Sequence, residues 1–212
     1  MKTVLCYGDS NTFGYEPLSG TRYPKELRWT TILQKELGAA YEVVSEGLNG
    51  RTTAYDRIEC AWKNGFPYLA PCMGSNKPVD FIIFMLGTND CNADLHLSPE
   101  DIAAGMEKLV KEVELQVPDM QDFIPRMIIV APAAILDDYH NSPFADQLDD
   151  DSIRKSHAIA PLYKEVAKRH NCMFLDCTDA LEVSTFDAEH LTAAGHAKLA
   201  ELLTNMILKE IL

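Results

Sequence analysis

Ser10 and His190 stand near opposite ends of a 212-residue chain, each in a setting suited to nucleophilic chemistry. Ser10 lies in Gly8-Asp9-Ser10-Asn11, directly after the apolar run Thr3–Tyr7. A run rich in β-formers that stops at glycine predicts a buried strand ending in a tight turn. A serine there sits at the carboxyl end of a strand, where open α/β sheets assemble their sites. A helix after the turn leaves backbone N–H groups near Ser10 free to receive negative charge. The hydroxyl becomes a nucleophile only when a base takes its proton. His190 is the candidate base. Asp187, in Asp187-Ala188-Glu189-His190, is close enough on a turn to bond one imidazole nitrogen and leave the other facing Ser10.

Acyl transfer also needs donors for an oxyanion. Two further loops offer them. Gly47-Leu48-Asn49-Gly50-Arg51-Thr52 follows the strand-like run Tyr41–Ser45, and Gly87-Thr88-Asn89-Asp90 follows the apolar run Phe81–Leu86. Glycine permits close backbone approach, and the Asn89 amide can donate without adding charge. Each feature also has a plainer reading. Ser10 and Asn11 suit a helix cap, and Asn89 suits a turn. Asp9 and Asp90 read as hydrogen-bonding supports, and Arg51 as a structural partner for a carboxylate. His140 rivals His190, because Asp137 precedes it at the same spacing.

Taken together, the four segments resemble the sequence blocks of the SGNH hydrolases, the GDSL esterase/lipase family. Gly8-Asp9-Ser10-Asn11 matches the nucleophile block, Gly50 the second block's glycine, Gly87-Thr88-Asn89-Asp90 the third, and Asp187 with His190 the last. The resemblance implies Ser10 as nucleophile, His190 as base and Asp187 as its orienting acid. It implies an oxyanion hole from the N–H groups of Ser10 and Gly50 and the Asn89 side chain. Arg28-Trp29-Thr30, Glu46–Thr53 and Met85–Asp90 are similar to the arylesterase/acyltransferase-like subgroup, whose members act on small esters and in some cases form homo-oligomers. The subgroup often carries Ser-Ala where this chain has Asn49-Gly50, and the nucleophile block often has Leu where this chain has Asn11. Asn11, Tyr15, Trp29 and Asn49 are candidates for the substrate pocket, and Trp29 is equally suited to cap the core. No metal and no organic cofactor is expected.

The elements that must position these residues alternate along the chain, which predicts a three-layer α/β/α sandwich around a five-stranded parallel, flavodoxin-like sheet. Strands are expected near Thr3–Tyr7, Tyr41–Ser45, Phe81–Leu86, Met127–Val130 and Met173–Asp176. Helices are expected over Trp29–Leu37, from Ser98-Pro99 to about Val117, over Asp151–His170, and from Thr192 toward the C-terminus. Two long loops, Asn11–Arg28 and Pro132–Asp150, follow strands and are expected to wall the pocket. One domain, 1–212, suits this length.

Composition bounds the function classes. With 47% hydrophobic and 24% charged residues, the chain is an ordinary globular one. Its net charge of −13 opposes nucleic acid as a partner. No apolar run reaches the roughly 18 residues of a membrane span, and the expected compartment is the cytoplasm. The six cysteines lack metal or disulfide spacing. The expected activity is hydrolysis of a short-chain carboxylic ester through an acyl-enzyme, with transfer to other acceptors open. A carbohydrate acetylesterase or a thioesterase/lysophospholipase would use the same machinery. A flavodoxin-like anion-binding module would need Ser10 but neither Asp187 nor His190.

Overall fold

Apolar residues fill both sides of the central strands, so helices must cover both faces. The computed structural model describes residues 1–57 and 60–210. The chain runs through β1 (Lys2–Gly8), the one-turn helix α1 (Ser10–Phe13), a hairpin of β2 (Tyr15–Glu16) and β3 (Thr21–Arg22), α2 (Trp29–Leu37) and β4 (Tyr41–Gly47). It continues through α3 (Gly65–Asn76), β5 (Phe81–Met85), α4 (Pro99–Gln116), β6 (Arg126–Ala131), α5 (Asp150–Arg169), β7 (Met173–Asp176) and α6 (Ala193–Lys209). The five long strands pair in parallel in the order β4-β1-β5-β6-β7. This is the flavodoxin-like order expected from the sequence, and its switch point lies at β1.

Alternation along the strands divides the core in two. Leu5, Tyr7, Ile82, Phe84 and Ile129 face α3, α4 and α5, meeting Leu69, Met106, Val110, Ile159 and Tyr163. Val4, Cys6, Ile83, Met85, Ile128 and Val130 face α2 and α6, meeting Trp29, Leu33, Leu199 and Leu203. Each fully buried large side chain contributes about 1.5–3 kcal/mol. Helix starts follow their caps. Ser98 and Asp101 close a capping box on α4, Asp149 and Ser152 do so on α5, and Thr192 accepts from the Gly195 N–H on α6.

Two elements were not expected. The hairpin β2–β3 lies inside the first long loop. Helix α3 lies in a stretch whose glycines and prolines disguise it. Pro67 falls in its first turn, where a missing N–H is harmless, and Pro71 removes one interior bond. The helix forms because the Asn64 side chain caps Phe66 N–H at 2.9 Å and because Leu69, Cys72 and Met73 are buried.

The sheet sets the level of the site. Gly8 at the end of β1 lies opposite Gly47 on β4 and Met85 on β5. Three loops therefore leave one edge side by side, and α1 rests directly on the strand ends. A Cβ on Gly47 would stand 2.0 Å from the Phe13 backbone nitrogen, which cannot move without shifting α1. Gly47→Ala is therefore expected to destabilise the protein by roughly 1–3 kcal/mol or more, the usual range for forced overpacking. Thermal unfolding measures it; an unchanged Tm would show that α1 is free to adjust.

Candidate active site

Ser10 is the first residue of α1, and Asp9 caps that helix by accepting the Asn11 N–H at 2.9 Å. His190 comes from a closed loop before α6. The loop is tied by Ser184 N–H to His190 O at 2.8 Å and Ala188 N–H to Ser184 O at 2.9 Å, with Ala188 at φ +69°. The imidazole Nε2 lies 2.8 Å from Ser10 Oγ, and Nδ1 lies 2.8 Å from Asp187 Oδ2. The other Asp187 oxygen accepts the His190 and Glu189 N–H groups at 3.2 and 3.4 Å. Donation from Nδ1 to this buried carboxylate leaves Nε2 as an acceptor toward the serine hydroxyl. Burial by itself lowers the imidazole pKa. The Asp187 hydrogen bond and the charges of Glu189, Asp187 and Asp9 outweigh it, so His190 titrates above its ordinary value. The Tyr15 and Phe144 rings flank the imidazole at 4.3 and 5.7 Å between centroids.

Asn11 and Trp29, both candidates for the pocket, do not line it, and Trp29 takes the core position that was its alternative. Asn11 is buried, and its amide spans the gap to the histidine loop. Its Nδ2 donates to Glu189 O at 3.2 Å and its Oδ1 accepts Leu191 N–H at 2.9 Å. Both backbone neighbours of His190 are thereby held to the residue after Ser10. Trp29 is 1% exposed and lies beneath this clamp, donating Nε1–H to Asn11 O at 3.1 Å. Its backbone N–H points to His196 Nδ1 at 3.4 Å. Burial lowers the His196 imidazole to about 4, so it is neutral and able to accept.

The second and third loops are cross-linked in the same way. Asn89 Nδ2 donates one hydrogen to Arg51 O at 3.2 Å, which fixes the amide and leaves its second hydrogen available. Asp90 is buried and accepts both the N–H and the hydroxyl of Thr53. Burial lifts its carboxyl to about 6 against those bonds. Arg51 is structural. Its Nη1 donates to Gly8 O at 2.9 Å and to Glu46 O, and the guanidinium lies 4.2 Å from the Tyr7 ring centroid. Gly50 follows the strand end with φ +77°, a conformation that favours glycine.

Ser10, His190, Gly50 and Asn89 open into one pocket of about 230 Å³. Tyr15 and Asn49 line it, together with Phe144 and Gln147 from the second long loop. Arg57, Lys63 and Glu189 also line it and had not been singled out. Glu189 was legible as the residue before His190, whereas Arg57 and Lys63 carry no local signal. The rival His140 is exposed and stacks on Tyr139 at 4.2 Å, away from Ser10. His170 pairs with Glu107 and Glu114. Cys91 is buried beneath the third loop, and burial pushes its thiol up, out of the nucleophilic range. Among the described residues no group of three or more His, Cys, Asp or Glu is placed to hold a metal. Among the same residues no helix is long and apolar enough to cross a membrane.

A carbohydrate acetylesterase family member from Sinorhizobium meliloti is 36% identical, with a TM-score of 0.92 over 99% of this chain and 98% of its own. The M. smegmatis aryl esterase is 32% identical, with a TM-score of 0.91 over 99% of both chains. A lipase/acylhydrolase from Enterococcus faecalis, at 17% identity and a TM-score of 0.72, shares the fold. No curated protein sequence matches the chain. The profile of the GDSL-like lipase/acylhydrolase family matches residues 6–198. The chain therefore belongs to that family and is a carboxylic ester hydrolase of the serine type.

Proposed function

We propose that Ser10, His190 and Asp187 are the catalytic residues, that Ser10 N–H, Gly50 N–H and Asn89 Nδ2 form the oxyanion hole, and that the preferred substrates are short-chain esters. The observation that carries this reading is the hydrogen-bonded relay, 2.8 Å at each step, opening beside Asn89 and Gly50. Ser10 Oγ attacks the ester carbon as His190 Nε2 takes its proton. The carbonyl oxygen gains negative charge and is met by the three donors, which are fixed before substrate arrives. The alcohol leaves with the proton from His190. Water, or another acceptor alcohol, then attacks the acyl-enzyme with His190 again as base.

The pocket volume supports the short acyl group. About 230 Å³ is below the roughly 300–1,000 Å³ of drug-sized sites. Tyr15 and Phe144 bound the space beside His190. The polar lining by Asn49, Gln147, Arg57, Lys63 and Glu189 favours a hydrophilic alcohol over a lipid, which gives the carbohydrate acetylesterase reading its own support. The free cysteines fit a reducing compartment such as the cytoplasm.

Ser10→Ala and His190→Ala are each expected to lower kcat on p-nitrophenyl acetate by at least roughly 10⁴-fold, because nucleophile and base act as a unit. Exposed His140 serves as the control, and His140→Ala is expected to keep wild-type turnover. A folded Ser10→Ala protein that still turned over would remove the mechanism. Asn89→Ala is expected to lower kcat about 10²- to 10³-fold, or ~3–4 kcal/mol, with a smaller change in KM. A pure KM effect would make Asn89 a substrate-binding residue instead.

The pH profile follows from the raised His190 pKa. The base must be neutral, so kcat/KM falls as pH drops through a value above the ordinary imidazole pKa of about 6.5. The Glu189 charge contributes to that rise, so Glu189→Gln is expected to move the acid limb to lower pH. A limb that stays in place or moves up would contradict the assignment of His190. Across a p-nitrophenyl ester series, kcat/KM is expected to peak at acetyl to butyryl and fall steeply beyond about six carbons, each clashing methylene costing ~1–3 kcal/mol. An optimum at eight carbons or more would favour the lipase-like alternative.

A further inference from the structure

The pocket of this ester hydrolase carries charge of the opposite sign to the chain around it. The protein has a net charge of −13, yet Arg57 and Lys63 both line the pocket. Arg57 is already engaged. Its guanidinium pairs with Asp94 at 3.2 Å, donates to the Asn92 amide oxygen at 3.1 Å in the amide orientation that satisfies both groups, and faces the charge of Glu189. Burial raises the Glu189 pKa, and the charges of His190 and Arg57 oppose that rise. Lys63 is in a different position. Among the described residues no carboxylate forms an ion pair with it, and its ammonium lies 5.5 Å from the Trp62 ring centroid.

The Lys63 backbone is pinned beside the oxyanion loop. Its carbonyl accepts the Thr52 N–H at 3.1 Å, and Thr52 bridges to Asn64. The side chain reaches back over Gly50, where a Cβ would stand only 2.8 Å from Lys63 Nζ. Any larger residue at position 50 would displace the ammonium. The cation therefore sits against the loop that presents the Gly50 N–H, in a half-buried pocket where charge is less screened than in water.

We infer that Lys63 is a specificity-determining residue that selects esters bearing a carboxylate close to the ester group. This inference rests on the ester hydrolysis proposed above and changes none of its steps. Water adds to the acyl carbon and the alcohol leaves with its proton, while the substrate's own carboxylate stays intact and pairs with Nζ. The carboxylate can belong to the acyl part or to the alcohol part, and the two sources separate in the assay.

Two matched pairs test it by pH-stat hydrolysis at low ionic strength. Monomethyl glutarate against its neutral amide, methyl glutaramate, places the charge on the acyl side. 3-Acetoxypropionate against 3-acetoxypropionamide places it on the alcohol side. The expected result is a kcat/KM ratio, charged over neutral, of about tenfold or more in one pair, decreasing as salt is added. In Lys63→Met the ratio is expected to fall toward one, and Lys63→Arg is expected to retain most of it. A ratio of one or less in both pairs for the wild-type protein overturns the inference. So does a ratio that survives in Lys63→Met, since another group would then read the charge. Wild-type turnover of p-nitrophenyl acetate separates the two failures, because its absence would remove the esterase reading itself.

Discussion

The amide of Asn11 makes the relay possible. Ser10 and His190 come from segments 180 residues apart, one at the first strand end and one before the last helix. A relay of 2.8 Å bonds needs both held to within a few tenths of an ångström. Asn11 does this with a donor and an acceptor on one rigid plane, bonding the backbone on either side of His190. Trp29 fixes the Asn11 backbone from below, and His196 receives the Trp29 N–H at the start of α2. Packing of α2 and α6 on one sheet face is thereby transmitted to the imidazole through hydrogen bonds rather than through contact with the substrate.

The same economy of position governs the other two loops. Because Gly8 and Gly47 leave the strands at one level without side chains, α1 lies close over the sheet edge. Arg51 then ties the ends of β1 and β4 through their carbonyls, Asn89 ties to the Arg51 carbonyl, and Asp90 ties to Thr53. Each loop is held by its neighbour, so donors for a developing oxyanion need little reorganisation when charge appears. Buried carboxylates are the price of this arrangement. Asp9 is lifted to about 7 and Asp90 to about 6, both chiefly by loss of hydration. Asp9 keeps only one backbone bond, from Asn11, whereas Asp90 keeps two donors on Thr53, and its pKa rises less.

What could be read in the sequence was what short segments determine alone. The β-branched runs and the caps at Ser98 and Thr192 placed strands and helices within a residue or two, because period and capping chemistry act locally. Ser10, Asn89, Asp187 and His190 stood out only as a set of segments in a family-like order, because each alone also suits a cap or a turn. Helix α3 was hidden by Pro67 and Pro71, which argue against helix until burial of Leu69 and Met73 overrides them. Asn11 was a pocket candidate because it follows Ser10 in sequence, and Trp29 because it lies in a segment similar to the subgroup, where it suited the pocket and the core equally. Their side chains turn away to bond across the fold, and no local pattern encodes that. Phe144 and Gln147 lay in a loop recognised as functional, but which of its residues turn inward depends on ties such as Ser142 Oγ–H to Asp187 O at 2.7 Å.

Gly50 shows how a departure from a family pattern can be complete only when its tertiary partner is seen. Glycine in place of alanine at the second block implies extra room beside the oxyanion hole. The structure fills that room with the Lys63 ammonium, 2.8 Å from where a Cβ would be. The positive φ of +77° favours glycine on its own, and a side chain there would push aside the flexible end of Lys63. Two positions 13 residues apart in sequence are therefore one feature of the pocket. The pocket holds a cation beside Gly50, separate from the Ser10–His190–Asp187 hydrogen bonds. On the proposed reading, chemistry and selectivity rest on different residues, which is how a shared serine relay can serve esters of different character.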